Sequence, residues 1–290
     1  MTDTLDLLLR DAVAALAAAG VPDPRVDAEL LAAHVVSLSR GGVQAAAVRG
    51  DAVSAEDAAT IAALVARRAA REPLQHLTGR APFRHFELEV GPGVFVPRPE
   101  TELLAQLAID ALRADASPAP IGVDLGTGSG AIAIAMASEV PHATVHAIER
   151  SPEAFAWAAR NAARLAPDNL DVTLGDLAEA AASLSEVAGS ISVVASNPPY
   201  VPDDAIPRDP EVRLFDPPQA LYGGPDGLDV VRVLSGVGLL LARPGGLIAI
   251  EHGEWQGAEV RAVLTGDGWR AAATHPDLTM RDRVTTALRP

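Results

Sequence analysis

The stretch Asp124-Leu-Gly-Thr-Gly-Ser-Gly130 lies between a predicted strand at 121–125 and a predicted helix at 131–137. Glycines at 126, 128 and 130 allow the backbone to turn sharply and to approach a ligand where a side chain would block it. Glu149 follows nineteen residues after Gly130, at the end of the next predicted strand. A carboxylate at that place can accept both hydroxyls of a ribose. The loop and the acid together predict a nucleotide-type cofactor site.

The chain around this loop alternates between predicted strands and predicted helices. Such alternation is typical of a parallel sheet that is covered by helices on both faces. The predicted strands are 121–125, 144–149, 170–174, 191–196 and 247–251, and predicted helices begin near Ser129, Pro152, Leu177 and Asp226. Two later segments, 269–274 and 284–288, are predicted to add edge strands.

The first seventy residues predict a small helical bundle. Helical spacing of leucine and alanine ends at Gly20, Asp23-Pro24 supplies the start of a second helix, and Ser54 begins a capping box for a third. Beyond Pro73, glycines and an alternating apolar stretch predict a hairpin. We therefore divide the chain into a helical, substrate-docking domain at 1–72, a β-hairpin linker at 73–99 and a catalytic domain at 100–290.

The composition excludes several kinds of chemistry. The chain of 290 residues has no cysteine, and all 23 basic residues are arginine, which excludes disulfides, thiol nucleophiles, zinc thiolates and Schiff-base lysines. Its 38 acidic residues give a net charge of −15, which argues against a protein that coats a nucleic acid backbone. The amino terminus does not resemble a signal peptide, and the apolar run at 234–242 is shorter than the ~20 residues of a membrane span. We expect a cytoplasmic protein without membrane contact and without a bound metal.

Two cofactors fit the glycine loop. Gly126, Gly128 and Ala131 satisfy the relaxed G-x-G-x-x-A fingerprint, so an NAD enzyme stays open. Asp124 favours S-adenosylmethionine, because a carboxylate can hold the cationic methionine portion but would repel a pyrophosphate. Asp176 is a second candidate cofactor contact, since it can accept from an adenine amino group. It can equally be the N-cap of the helix that begins at Leu177.

Asn197-Pro-Pro-Tyr200 follows the predicted strand at 191–196, at the carboxyl edge where open α/β sheets hold their active sites. The two prolines stiffen the turn and remove two N–H groups, so its carbonyls are free to accept. A planar NH₂ group can donate one hydrogen to the Asn197 oxygen and the other to the Pro198 carbonyl, with its plane against Tyr200. The structural alternative is a strand-ending turn with a buried tyrosine.

Together with the glycine loop, this tetrapeptide is similar to that of methyltransferases acting on planar nitrogens. Two groups share it: amino-methylating DNA enzymes and glutamine amide methyltransferases. Arg71-Glu-Pro-Leu-Gln-His-Leu-Thr-Gly79 and Phe95-Val-Pro-Arg-Pro-Glu-Thr-Glu102 separate them, because both strongly resemble the peptide chain release factor N5-glutamine methyltransferase family, called PrmC or HemK. The resemblance covers nearly the whole chain, through Gly223-Gly-Pro-Asp-Gly227 to Arg281-Asp-Arg283.

The resemblance implies a class I S-adenosylmethionine-dependent methyltransferase of the α/β class. Its Rossmann-like, mostly parallel seven-stranded sheet would follow a small helical domain and a β-hairpin linker. The implied reaction moves a methyl group from S-adenosylmethionine to the side-chain amide nitrogen of the glutamine in the Gly-Gly-Gln motif of release factors. We expect a monomer that makes no direct contact with nucleic acid. A DNA adenine-amino methyltransferase and, less favoured, an NAD-binding oxidoreductase remain as alternatives.

The resemblance also implies roles for individual residues. It places S-adenosylmethionine on Gly126, Thr127, Gly128, Ser129, Gly130, Glu149 and Asn197. It implies that Asn197, Pro198 and Tyr200 are catalytic, and that these residues bind the substrate together with Pro199, Arg98 and Glu100. Alternatively, Arg98, Glu100 and Glu102 pair with one another and cap a helix at 100–112. Leu177 departs from the family, because many relatives have a tryptophan there against the adenine.

Two other features have weaker patterns. The segment 201–225 shows no clear periodicity, and loops of this length are usually functional or disordered; we expect it to close over the glutamine or to meet the release factor. His252, beside Glu251, is a candidate for a supporting role in the site. His76 and His85 are interpreted as linker residues.

Overall fold

The computed structural model describes residues 4–165 and 168–290. The helices are α1 (Leu5–Ala18), α2 (Pro24–Val36), α3 (Arg40–Arg49), α4 (Ala55–Ala69), α5 (Leu74–Thr78), α6 (Thr101–Ala114), α7 (Ala131–Glu139), α8 (Pro152–Leu165), α9 (Ala180–Ser183), α10 (Pro210–Phe215), α11 (Pro218–Leu221), α12 (Asp229–Leu241) and α13 (Gly257–Gly266). The strands are β1 (Arg80–Phe83), β2 (Phe86–Glu89), β3 (Ile121–Leu125), β4 (Thr144–Glu149), β5 (Leu170–Leu174), β6 (Ile191–Ser196), β7 (Ala242–Glu251), β8 (Arg270–Pro276) and β9 (Asp282–Leu288). No helix within the described ranges is long and apolar enough to span a membrane.

The chain forms two compact units. The helical unit runs to Arg80 and includes the later segment Pro207–Phe215, whereas the second unit comprises Ala81–Ile206 and Asp216–Pro290. The boundary at Arg80 lies beyond the predicted one at 72, because Leu77 on α5 is buried in the same apolar cluster as Leu16 and Leu31. We call the second of these the sheet unit.

The helical unit confirms the three predicted helices and adds two. The side chain of Ser54 accepts a hydrogen bond from the Asp57 amide, as the predicted capping box requires. Helix α3 was missed because Gly41 and Gly42 lie in its first turn, and glycine is the second worst helix former after proline. Its N-cap is Ser39, whose hydroxyl accepts from the Gly42 amide.

The sheet unit contains a seven-stranded sheet in the order β5-β4-β3-β6-β7-β9-β8. The first five strands are parallel, and β9 is antiparallel to both β7 and β8. The two late strands are therefore confirmed, but only β8 forms an edge, since β9 pairs with β7 on its inner side. The carboxyl ends of β3 to β7 meet at one edge, which we call the carboxyl edge.

Apolar layers cover both faces of this sheet, which confirms the predicted α/β architecture. One cluster joins the β1–β2 hairpin and helices α6 and α7 to one face. The other joins α12, α13 and the buried Trp269 to the opposite face. Helix α7 starts at Ala131, where the predicted helix at 131–137 starts, directly after Gly130, whose φ is 88°. Helix α12 starts at Asp229, a few residues later than predicted, after a turn in which Asp226 accepts from the Leu228 amide.

The segment 201–225 differs from the predicted irregular loop, because it contains α10 and α11. Within the helical unit, the Glu211 carboxylate accepts hydrogen bonds from Arg68 at 2.7 Å and from Arg71 at 2.7 and 2.8 Å. Arg68 also donates to Asp27 at 2.7 Å. Burial opposes the ionisation of Glu211, but the hydrogen bonds from Arg71 and Arg68 outweigh it and lower its pKa. These ion pairs hold residues 207–215 on the helical unit.

Replacing Glu211 should destabilise the helical unit. Glu211→Ala removes three charge-assisted hydrogen bonds from largely buried arginines, and bonds to charged groups contribute about 1.5 to 3 kcal/mol. We expect a loss of that size in the free energy of unfolding, measured by urea titration and circular dichroism. Asp6→Ala removes the exposed ion pair with Arg10 and should cost less than about 1 kcal/mol. Equal losses in the two variants would contradict this account.

Candidate functional site

Four neighbouring strands place polar side chains at the carboxyl edge. Glu149 ends β4, Asp124 lies near the end of β3, Asn197 follows β6, and Glu251 ends β7. The sheet order β4-β3-β6-β7 brings these strands together in that sequence. Glu149, Asp124 and Glu251 are buried, with 7%, 0% and 2% of their surface exposed. A row of buried polar groups is costly unless the groups have partners, so each needs an explanation.

The glycine loop has the geometry that the sequence predicts. Gly126, Gly128 and Gly130 have φ values of 76°, 58° and 88°, a region that side chains disfavour. The amides of Gly126 and Thr127 donate to the Ile148 carbonyl at 2.8 and 3.1 Å, which ties the loop to β4. A Cβ added at Gly126 or Gly128 would have no neighbour within 4 Å. The loop therefore leaves open space beside the backbone for a ligand.

The two acids of this region accept hydrogen bonds from the loop, from the first turn of α7 and from the residue pair after β4. Glu149 accepts from the amides of Gly128 and Ser151, both at 2.8 Å, one on each carboxylate oxygen. Each oxygen keeps further acceptor capacity for a ribose hydroxyl. Asp124 accepts from the Thr127 hydroxyl at 2.6 Å and from the Ala133 amide at 3.2 Å, both on Oδ2. Its other oxygen, Oδ1, is buried without a hydrogen-bond partner among the described residues.

The remaining loop residues support the turn from within. The hydroxyl of Thr127 is bound by Asp124, so it fixes the acid. Ser129 is buried, and its carbonyl accepts from the Asn161 amide at 3.0 Å. The structure thus brings all five residues of the predicted loop to one place, although these two side chains are held inside the protein.

An open cavity of about 460 Å³ lies beside Glu149, between the ends of β4 and β5. Its lining residues are Arg150, Ser151, Pro152, Glu153, Leu174, Gly175, Asp176 and Gln219. Asp176 also accepts from the Ala178 amide at 2.9 Å, so its N-cap role is confirmed while it faces the cavity. Leu177 does not line the cavity, and Gln219, which no motif indicated, does. The cavity, the open glycine loop and the unpartnered Asp124 oxygen together fit S-adenosylmethionine.

The tetrapeptide after β6 is held from several sides. The Asn197 Nδ2 donates to the Thr101 hydroxyl at 3.3 Å, which directs the amide oxygen of Asn197 away from Thr101. The Tyr200 carbonyl accepts from Gln256 at 2.9 Å. A Cβ at Gly223 would lie 2.4 Å from the Pro199 carbonyl oxygen, so only glycine permits this close approach. The turn is therefore fixed before any substrate arrives.

The structure decides against mutual pairing of Arg98, Glu100 and Glu102. Arg98 donates to Asp216 at 2.7 Å, and its guanidinium lies 5.0 Å from the centre of the Phe95 ring. Glu102 accepts from the Arg84 amide at 2.9 Å, and Glu100 makes no side-chain capping bond at the start of α6. That alternative is wrong because each partner lies on a distant part of the chain. Substrate contact by Arg98 and Glu100 stays a prediction.

The histidine beside Glu251 has a structural position. His252 is buried, its Nε2 lies 2.8 Å from the Thr285 hydroxyl, and its Nδ1 lies 2.8 Å from the Gly253 carbonyl. Burial lowers the pKa of His252. Nδ1 therefore donates to the carbonyl while Nε2 accepts from the hydroxyl. Both ring nitrogens therefore have a partner, and the Nε2 contact links the residue after β7 to Thr285 on β9.

Comparisons with known proteins agree with this geometry. The PrmC N-terminal domain family matches residues 8–79, and the Methyltransferase small domain family matches residues 87–216. A release factor glutamine methyltransferase of Streptomyces coelicolor is 46% identical over 98% of this chain and 98% of its own length. A protein of the same name in Mycolicibacterium smegmatis is 45% identical over 96% and 95% of the two chains. The chain belongs to the release factor glutamine methyltransferase family.

Membership of the release factor glutamine methyltransferase family confirms the family resemblance, the enzyme class and S-adenosylmethionine as the methyl donor. It decides against the NAD-binding oxidoreductase and the DNA adenine-amino methyltransferase. Among solved structures, the hMettl16 catalytic domain in complex with MAT2A 3'UTR hairpin 6 is 15% identical and has a TM-score of 0.53 over 69% of this chain and 75% of that chain. That likeness concerns the fold alone.

Cofactor affinity should increase as the pH rises through about 7. Burial raises the pKa of Asp124 to about 7 despite hydrogen bonds from Thr127 and Ala133, so this acid is largely protonated at lower pH. Above that pH it carries the negative charge that attracts the methionine amino group. Calorimetry with S-adenosylhomocysteine should show tighter binding at about pH 8 than at about pH 6. Asp124→Asn should abolish this slope.

The matched control for that measurement is Glu153→Gln, because Glu153 also lines the cavity. Its pKa is lowered by the backbone amide of its own helix turn and by Ser151, so it stays ionised over the whole range. This variant should keep the slope. A slope that survives in Asp124→Asn would assign the titration to another group.

Proposed function

We propose that this chain transfers the methyl group of S-adenosylmethionine to the side-chain amide nitrogen of the glutamine in the Gly-Gly-Gln motif of a peptide chain release factor. The observation that carries the proposal is the fixed turn Asn197-Pro-Pro-Tyr200 beside the cofactor site. The names of relatives that match over nearly the full chain support the substrate class.

The turn offers two acceptors for a planar NH₂ group. Because Thr101 binds the nitrogen end of the Asn197 amide, its oxygen remains for the substrate. Among the hydrogen bonds of residues 4–165 and 168–290, none ends on the Pro198 carbonyl. Neither proline has an N–H that would compete. The two hydrogens of the glutamine amide therefore go to Asn197 Oδ1 and the Pro198 carbonyl, and the flat face of Tyr200 supports the amide plane.

Positioning supplies most of the acceleration in this scheme. An amide nitrogen is a poor nucleophile because its lone pair is delocalised into the carbonyl. When bound, S-adenosylmethionine supplies a methyl group activated by a positively charged sulfur. Holding the nitrogen in line with that methyl contributes up to about 7 to 11 kcal/mol, and the acceptors of Asn197 and Pro198 stabilise the positive charge that grows on nitrogen. The surplus proton then leaves to water.

The cofactor is assigned to the edge of β3, β4 and β5. Gly126, Gly128 and Gly130 allow close approach, with Thr127 and Ser129 supporting the turn from within. Glu149 is assigned to the ribose, Asp124 to the methionine portion and Asp176 to the adenine side of the cavity. The unpartnered oxygen of Asp124, the place of Asp176 in the cavity lining and the open space beside Gly126 and Gly128 support these roles. Each oxygen of Glu149 accepts one backbone amide and keeps further acceptor capacity.

An apolar surface beside the tetrapeptide suits a protein partner. Ile206, Trp255, Leu278 and Met280 are 72%, 83%, 104% and 80% exposed, more than any other large apolar side chain described in the sheet unit. Trp255, Leu278 and Met280 lie on loops at the carboxyl edge, since Glu251 of β7 pairs with Val284 of β9. Ile206 follows the tetrapeptide along the chain. The hydrogen bond from Gln256 to Tyr200 makes the Trp255 loop continuous with the tetrapeptide. We assign this surface to the release factor.

The remaining parts of the proposal concern assembly and location. The net charge of −15 supports a chain that makes no direct contact with nucleic acid. We assign a docking role to the helical unit and expect the enzyme to act as a monomer. Because release factors act in translation, the cytoplasm is the expected location.

Truncating Trp255 should weaken release factor binding and leave the chemistry intact. Loss of a central aromatic contact typically costs more than about 1 kcal/mol, so Trp255→Ala should raise KM for the release factor about 5-fold or more, with kcat and KM for S-adenosylmethionine unchanged. Leu240→Ala is the control, because Leu240 is 62% exposed at the end of α12, next to the start of β7. Equal KM values for the two variants would remove Trp255 from the docking surface.

The function itself is tested with tritiated S-adenosylmethionine. The chain should label a release factor at the Gly-Gly-Gln glutamine, located by mass spectrometry, and should not label an adenine-containing DNA duplex. Asn197→Ala should lower kcat by about 100-fold or more while its affinity for S-adenosylhomocysteine changes little. Label in the DNA, or in neither substrate, would refute the proposed function. Unchanged kcat in Asn197→Ala would refute the role of the amide.

A further inference from the structure

Glu251 is a buried carboxyl group that the scheme above does not use. It ends β7, two strands from Asp124 in the sheet, and only 2% of its surface is exposed. Its Oε2 has no hydrogen-bond partner within residues 4–165 and 168–290. Burying a carboxyl group without a full set of hydrogen-bond partners costs free energy. Its position next to the tetrapeptide therefore needs an explanation.

The neighbours of Glu251 are Asn197, the first residue of the tetrapeptide, and Thr101, which binds the Asn197 side chain. The register pairs Ser196 of β6 with Ile250 of β7, so Asn197 and Glu251 follow at neighbouring positions of adjacent strands. Thr101 and Asn197 are also the side chains whose hydrogen bonding opposes the rise in the pKa of Glu251. The Thr101 hydroxyl also accepts a hydrogen bond from Asn197 Nδ2 at 3.3 Å. Glu251, Thr101 and Asn197 therefore form one cluster, contributed by β7, α6 and the end of β6.

This cluster distinguishes the two ends of the Asn197 amide. An amide group presents a donor at one end and an acceptor at the other, and a rotation of 180° exchanges them. With its nitrogen toward Thr101 and Glu251, Asn197 donates to groups that accept. With its oxygen there, it would face a carboxylate that can only accept. The substrate nitrogen needs the first arrangement, because only then does Oδ1 face it.

We propose that Glu251 is a positioning residue, which holds the Asn197 amide with its nitrogen inward and its oxygen toward the glutamine of the substrate. Thr101 is the second acceptor of the same cluster. This inference rests on the proposed function, because it concerns how the amide oxygen of Asn197 meets the substrate nitrogen.

The proposal predicts a dependence on pH. Burial raises the pKa of Glu251 to about 7, although Thr101, Arg283 and Asn197 act in the opposite direction and Glu100 adds to the rise. A protonated Glu251 has an O–H that can donate to Asn197 Oδ1, so it tolerates the unproductive orientation. The ionised form excludes it. Activity should therefore rise as Glu251 loses its proton.

The other charged groups around Glu251 do not produce the same change. Burial raises the pKa of Tyr200, so this phenol does not titrate near neutral pH. Burial lowers the pKa of His252, so its ring is already neutral in the pH range where an ordinary histidine loses its proton. Asp124 does titrate near pH 7, but it acts on cofactor affinity. Saturating S-adenosylmethionine removes its contribution from kcat.

The test compares Glu251→Gln with the wild-type enzyme at saturating substrates from about pH 6 to about pH 8. Glutamine has nearly the same shape, but its own amide can satisfy Asn197 in either orientation. We expect kcat of the wild type to rise several-fold over this range, and kcat of the variant to be about 10-fold lower and flat. Both KM values should stay within about 2-fold. Glu259→Gln, which removes an exposed acid from α13, should keep the wild-type profile.

A second pair of variants tests the cluster without touching Glu251. Thr101→Val removes the hydroxyl at nearly constant volume and should lower kcat, whereas Thr101→Ser keeps the hydroxyl and should restore it. This pair decides the matter if Glu251→Gln does not fold, as judged by thermal unfolding. Wild-type kcat with its pH step in Glu251→Gln, or equal kcat in the two Thr101 variants, would overturn the proposal. A wild-type enzyme that does not methylate the release factor would instead refute the function.

Discussion

Burial of acids at the ends of parallel strands is the constraint on which this site depends. Parallel strands end together, so Glu149, Asp124 and Glu251 reach one edge and lose their water there. Each is held differently: backbone amides bind Glu149, and a hydroxyl and one amide bind a single oxygen of Asp124. Glu251 lies beside Thr101 and Asn197, and its Oε2 has no hydrogen-bond partner among the described residues. The cofactor and the substrate then meet groups whose charge and direction are already set by the protein.

Much of the fold and the centre of the site could be predicted from the sequence, because the deciding signals are local. Glycines at 126, 128 and 130 predicted a sharp turn of the backbone, and all three have positive φ. The end of β4 was predicted at Glu149 and lies there. Asp176 carried two interpretations, and the structure accommodates both, since one oxygen caps a turn while the residue lines a cavity. Short-range spacing is sufficient for features of this kind.

The parts that escaped prediction depend on contacts between distant residues. Thr101 lies in the stretch 95–102 that resembles the family, but no role was predicted for it, and Gln219 lies in no motif. Only the folded chain brings them to Asn197 and to the cavity. Arg98 was weighed against its sequence neighbours, yet its partner is Asp216, far along the chain. The inner place of β9 follows from its pairing with β7, which no periodicity reveals. The sequence indicates that Glu251 is an acid at the end of a strand, but it does not indicate that one of its oxygens has no hydrogen-bond partner among the described residues.

The discontinuous helical unit has a consequence for how the two parts of the enzyme can be separated. Residues 207–215 leave the sheet unit a few positions after the tetrapeptide, join the helical unit, and return before Asp216. No single cut in the chain therefore releases an intact helical unit. A chain shortened to begin after Arg80 would keep α10 but lose Arg68 and Arg71, so Glu211 would lose the cations that hold it. The helical unit can therefore be complete only when the chain on both sides of Ala81–Ile206 is present.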